Sequence, residues 1–285
     1  ENFELFNKKL GFLALQASNT LSSLGREWNI DKLVLKNDDA SLHAKGNWVS
    51  RQSDSQTKLE YVLDILNSGS LLDRLEFPGV LRGGKGKLEG SAHWTGLPFD
   101  IDIPSLGGQL QMTLAAGQFL KVDPGAAKLL GVLSMQSLPR RFTLDFRDVF
   151  SEGFAFDSIV GTAQIQQGIA KTDNLKMSSV NAAVLMEGSA DIAKETQDLH
   201  VAVIPDFNAG AASVVYGLAV NPVIGLGTFL AQLFFRDPLK RAFTYEYQIT
   251  GPWANPIVTK IENKERQEIL DKQKAEQIKA KAGSK

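Results

Sequence analysis

Polar and apolar residues alternate with a period of two through most of this chain, which is the pattern of β-strands with one dry and one wet face. Trp28, Ile30 and Val34 lean to one side, although Leu33 and Leu35 blur the end of that run. Leu42, Ala44, Gly46 and Trp48 make a second set, and Leu59, Tyr61, Leu63 and Ile65 a third, opposed by Lys58, Glu60 and Asp64. Polar, turn-like breaks at Asn37–Asp39 and Ser50–Gln56 separate them. The series continues through Lys87–Trp94, Phe99–Ile103, and Leu110, Met112 and Leu114. It then runs through Leu175 and Met177, Val184 and Met186 with Ile192, and Leu199, Val201 and Val203. Phe243, Tyr245, Tyr247 and Ile249 follow, and Ile257, Thr259 and Ile261 read as a last short strand. Successive strands of this kind predict an antiparallel sheet.

Three segments depart from alternation. Ser68–Phe77 predicts one or two helical turns, with Ser70 as cap, Leu71, Leu72 and Leu75 on one side, and Pro78-Gly79 as the stop. In the central stretch Phe119–Ile165, Asp123 before Pro124 starts a short helix carrying Ala126, Leu129, Leu130 and Leu133, which ends before Pro139. Alternation then returns in Phe142, Leu144 and Phe146, and after a turn over Asp148–Gly153 in Phe154 and Phe156. The third segment, Ala211–Phe235, has 25 residues without a charge. Asn221-Pro222 divides it into halves too short to cross a bilayer singly, since a span needs ~20 residues. A broken helix or helical hairpin is expected there, with Arg236, Lys240 and Arg241 placed to meet anionic headgroups if a bilayer is near. The mixed-charge segment from Glu262 onward reads as a solvated helical tail.

Strands apolar on one side only demand something for that side to face. A second sheet would make a sandwich, and a curled, half-open sheet would leave a greasy groove. The alternation is compatible with both.

Composition narrows the chemistry. A formal charge of -1 gives no general pull toward nucleic acid, and the absence of cysteine rules out disulfides, thiol catalysis and cysteine metal sites. His43, His93 and His200 are isolated within strand patterns and predict no metal site. Asp145, Asp148, Glu152 and Asp157 are the densest carboxylate group, but strand and turn positions account for them without catalysis. Leu81–Lys87 does not complete a phosphate-loop motif and reads as a glycine turn entering a strand. No catalytic residue, cofactor or ATP site is expected, and Arg140-Arg141 is read as solvated or salt-bridged.

The runs DPGAAKLLGVLS, LPRR and LDFRDVFSEGFAFDSIVG, followed by AVNPVIGLGTFLAQLFF and YQITGPWANP, together resemble the C-terminal region of the AsmA-like bacterial envelope proteins of the YhdP type, over about Gly108–Pro256. The resemblance implies a curled β-groove and not a sandwich, and a chain that is a piece of a longer periplasmic protein anchored in the inner membrane upstream. It also implies phospholipid as cargo, carried toward the outer membrane. On this reading residues 1–205 form the antiparallel groove, with short helices near 69–76 and 124–134. Residues 206–241 form the broken apolar segment, 242–261 the final strands and 262–285 the charged tail. The expected groove lining is Leu63, Ile65, Leu110, Met112, Leu114, Phe142, Leu144, Phe146, Phe154, Phe156, Val184, Met186, Val201 and Val203. Expected membrane contacts are Val214, Val215, Tyr216, Leu218, Phe229, Leu230, Leu233, Phe234, Phe235, Arg236, Lys240 and Arg241. Envelope protein partners are compatible with this picture, and nucleic acid is not.

Overall fold

The computed structural model describes residues 2–5, 8–22, 25–50, 55–120, 154–179, 182–205, 225–236 and 244–261. The expected helix near 124–134, the strand of Phe142, Leu144 and Phe146, the first half of the apolar segment and the charged tail lie outside them.

Among the described residues, thirteen strands form one antiparallel sheet in strict sequence order, a meander with β1 and β13 at its two edges. The strands are β1 (Asn2–Leu5), β2 (Lys8–Ser22), β3 (Gly25–Lys36), β4 (Ala40–Ser50), β5 (Ser55–Ile65), β6 (Leu81–Thr95) and β7 (Gly107–Phe119). They continue as β8 (Phe154–Gln166), β9 (Ile169–Ser178), β10 (Ala182–Asp191), β11 (Thr196–Pro205), β12 (Tyr245–Pro252) and β13 (Ile257–Lys260). The sheet does not close on itself. The long strands follow from the long alternating runs, and for most neighbours the order follows from short connections, while β7–β8 and β11–β12 pair across long intervening segments.

Bulges keep the dry face in phase. Asp31 is an extra residue in β3, so Ile30 pairs with Gly46 while Leu33 pairs with Ala44. This shift places Leu33 and Leu35 on the dry face and sends Val34 to the wet one, opposite to the face expected for Val34. In β9 the side chain of Asn174 fills a comparable irregularity: its Oδ1 accepts from the Thr162 amide at 2.9 Å. On β13 Val258 pairs with dry-face Ile249 and Ile257 is exposed, so the dry side of that strand is Val258, not Ile257 and Thr259.

The sheet has two unlike margins. At one, helix α1 (Ser68–Arg74) connects β5 to β6 and lays Leu71 against the core of the dry face. Its cap is Asn67, whose side chain accepts from the Ser70 amide, and not Ser70 as expected. Arg74 clamps the helix down, donating to Asp39 Oδ2 from Nε at 2.7 Å and from Nη2 at 2.6 Å, and to the Lys9 carbonyl at 2.9 Å. The other margin carries the turns β6–β7, β8–β9, β10–β11 and β12–β13. Gly168 N donates to Leu106 O, Ile192 N to Gly168 O, and Trp253 N to Glu195 O, tying these turns together. A 3-10 turn at Ile103–Ser105 belongs to the first of them.

Helix α2 (Leu226–Arg236) is the described part of the uncharged segment. It packs on the face opposite the main core: Leu226, Leu230 and Phe234 bury themselves against Ala183, Leu185, Ala202 and Ile204. This is why β10 and β11 carry the unbroken apolar runs Ala182–Met186 and Val201–Ile204, all buried. A strand covered on both sides has no wet face to alternate with.

Glycines in β6 let neighbouring backbones come closer than side chains allow. A Cβ on Gly90 would collide with the Gln109 carbonyl, and one on Gly86 with the Thr113 carbonyl. Gly90→Val is therefore expected to destabilise the protein by about 1–3 kcal/mol, as overpacking does. The shift is measured as the fall in urea midpoint against wild type, with an unchanged far-ultraviolet spectrum at zero urea.

Candidate functional site

Strand register assembles the dry face into rows of side chains running across the sheet. The clearest row is Leu13, Leu35, Leu42, Leu63, Leu88, Met112, Gly161, Leu175, Met186, Val201 and Tyr247, one residue from each strand β2 to β12. All eleven are apolar, aromatic or glycine. A parallel row runs through Ala40, Ile65, Gly86, Leu114, Ile159, Met177, Val184, Val203 and Tyr245. On the other side of the first, a third begins Leu15, Leu33, Ala44, Tyr61, Gly90, Leu110, Ala163. A fourth begins Ala17, Ile30, Gly46, Leu59, Ala92, Gly108, Ile165. No charged side chain interrupts these stretches.

The expected lining residues Leu63, Ile65, Leu110, Met112, Leu114, Val184, Met186, Val201 and Val203 all fall on these rows. Phe154 and Phe156 join the same core through a break in alternation. Phe156 and Ile159 are three residues apart yet both core-facing, and the strand beside them carries Ala116 at φ 38°. Phe119 packs on Phe156 with ring centroids 5.4 Å apart. Phe142, Leu144 and Phe146 lie outside the described residues. The rows also contain members that alternation alone left unassigned: Leu13 and Leu35, hidden in nearly continuous apolar runs, and Leu88 and Ile159.

Access varies along the rows. From β8 to β12 they are largely buried. In β2 to β4 the face opens, with Leu15 57% and Trp28 41% exposed. Burial raises Tyr247 to about 12, chiefly by removing the phenolate from water, with Tyr245 adding to it. Among the described residues, the side chains of these rows offer apolar contact.

The wet face holds the ionic chemistry. His200 lies between two carboxylates, with Nε2 3.0 Å from Glu246 Oε2 and Nδ1 3.3 Å from Glu187 Oε1. Burial on its own would lower the imidazole, but the hydrogen bonds and charges of Glu187 and Glu246 outweigh it and push it up to about 9. Lys176, buried beneath α2 with its Nζ 5.9 Å from the Phe229 ring centre, is held below the usual lysine range by desolvation. Asp157, from the carboxylate group, is an exposed wet-face residue. Among the described residues no group of three or more His, Asp or Glu side chains is placed to hold a metal.

Of the expected membrane contacts, Leu230 and Phe234 face the sheet, Phe229 and Leu233 are partly buried beside them, and Phe235 is 90% exposed. Arg236 ends the helix. Val214, Val215, Tyr216, Leu218, Lys240 and Arg241 lie outside the described residues. No helix among the described residues is long and apolar enough to cross a membrane.

An open antiparallel sheet with one continuous apolar face, wide enough for a long apolar ligand and free of catalytic groupings among the described residues, defines a groove-type β protein. A family model described as YhdP protein matches residues 1–258, and the chain belongs to that family. It is 31% identical over 232 residues to the intermembrane phospholipid transporter YhdP of Escherichia coli (strain K12), in an alignment covering 80% of this chain and 18% of that protein. The chain thus spans less than a fifth of the relative's length. No solved structure matches it.

The His200 cluster gives a pH signature for the fold. Because the folded-state pKa is raised, the stabilisation is complete below the unfolded value of about 6.5 and is lost as pH rises through about 9. The urea midpoint of the wild type is expected to fall between pH 7 and pH 10 by more than that of His200→Gln. The difference should amount to no more than about 3 kcal/mol, measured by equilibrium unfolding across that range.

Proposed function

We propose that this chain holds phospholipid on its apolar rows and conducts it along them, as the C-terminal part of a periplasmic bridge between the inner and outer membranes of a Gram-negative envelope. The observation that carries this reading is the row from Leu13 to Tyr247, uninterrupted across eleven strands. The similarity to an intermembrane phospholipid transporter supplies the ligand class.

The mechanism follows from transfer energy. A sixteen-carbon acyl chain crossing water exposes methylenes worth ~0.8 kcal/mol each, on the order of 10 kcal/mol in all. A row without polar interruptions replaces that water with hydrocarbon at every step, so the barrier between adjacent positions is small. Met112, Met177 and Met186 sit within the rows, where unbranched, polarisable side chains adapt to a mobile ligand. No covalent step and no cofactor is involved, and the driving force comes from concentration or from the membranes themselves.

Residues 1–205 supply the groove and 242–261 its last strands. The apolar segment 206–241 meets the receiving membrane, with Phe235 at its exposed surface and the basic residues Arg236, Lys240 and Arg241 toward the headgroups. The upstream part of the longer protein carries the inner-membrane anchor.

The test is native mass spectrometry with lipid extraction on protein purified from cells without detergent. Phospholipid bound in stoichiometric amount, and lost in Leu63→Glu and Met112→Glu variants that keep the wild-type circular dichroism, is expected. Both sites are only partly buried, so a new carboxylate there can reach water. A lipid-free wild type that also takes up none from vesicles overturns the reading and leaves a structural envelope module.

A further inference from the structure

The four tryptophans of this chain all lie at one margin of the sheet. Trp28 pairs directly with Trp48, Trp48 with Thr57, and Thr57 with Trp94, so three indoles occupy a single dry-face row beyond the four apolar ones. Trp253 stands in the β12–β13 turn at the same margin. At this margin the dry face is polar as well as apolar. Trp94 donates its Nε1–H to Leu97 O at 2.8 Å, and Thr57 donates its hydroxyl to Gly96 O at 2.9 Å. The Trp48 Nε1–H, shielded from solvent, finds no acceptor among the described residues. At the opposite margin α1 packs Leu71 on the core of the dry face and is held by the Asp39–Arg74 ion pair.

Dimensions give the rows a meaning beyond a greasy surface. Adjacent rows are two residues apart along each strand, about 6.8 Å, so the four apolar rows span roughly 20 Å. One leaflet of a bilayer's hydrocarbon is about 15 Å thick. The apolar length of strands β4 to β8 therefore fits one acyl chain laid parallel to them, ending in a belt of indoles at the level where tryptophan sits in bilayers.

We infer that a phospholipid in this groove lies along the strands, its acyl ends toward α1 and its glycerol esters at the tryptophan margin, with the Trp48 N–H a donor to an ester or phosphate oxygen. The inference rests on the phospholipid reading above and adds an orientation to it. The lipid then slides sideways from strand to strand with its polar end kept at one rim, and no headgroup has to cross the apolar rows.

The tryptophans are their own reporters. The full chain is loaded from vesicles of phosphatidylcholine brominated either near the ester end or near the methyl end of the acyl chains, and bound lipid is counted by mass spectrometry. Quenching of tryptophan emission severalfold stronger per bound lipid with bromine near the esters than near the methyl ends is expected. Equal quenching by both lipids, stronger quenching from the methyl end, or none at all with lipid counted as bound overturns the orientation and leaves the phospholipid reading intact. Absence of bound lipid from both preparations overturns the phospholipid reading, and the orientation with it.

Discussion

The structure depends on phase. Across thirteen antiparallel strands a one-residue slip at any pairing would turn every later side chain to the wrong face, because side-chain direction has a period of two. The apolar rows survive because each irregularity is matched. Asp31 takes up an extra residue between Ile30 and Leu33, Asn174 caps the gap opposite Thr162, and Ala116 turns its strand where Phe156 joins the core. These irregularities are what make one face from the separate alternations of the described strands.

Once phase is kept, the margins follow. One is fixed by ionic and capping contacts, Asn67 to Ser70 and Arg74 to Asp39, and the other by backbone bonds between successive turns. Neither requires a second layer of sheet, so the meander stays open at β1 and β13. A closed barrel of this many strands would enclose its lining on all sides. An open sheet leaves its dry face bounded by the two edge strands β1 and β13.

Much of this was legible beforehand. Leu59, Tyr61, Leu63 and Ile65, opposed by charges, carry their face on the surface of the text, and so do Met112, Val184 and Val201. What failed was local and has local causes. Val34 was misplaced because a bulge cannot be read from alternation when Leu33, Val34 and Leu35 are all apolar. In β13 it is Val258 that pairs with dry-face Ile249, and a four-residue strand holds too few positions for alternation to fix that phase. Ser70 was chosen as cap over Asn67 because both residue types cap well and the helix is only seven residues long.

The uncharged segment shows a different limit. Its hydrophobicity alone could equally serve a membrane or a protein surface, and the strands supply the missing half of the answer. Ala183, Leu185, Ala202 and Ile204 break the alternation of β10 and β11 only because Leu226, Leu230 and Phe234 cover them. Apolar side chains used this way are withdrawn from any bilayer, which leaves Phe235 as the large exposed apolar side chain of α2. The helix therefore sits on the outside of the groove, near its β13 end and away from the rows. The packing of α2 and the apolar rows thus draw on opposite sides of the same two strands, β10 and β11.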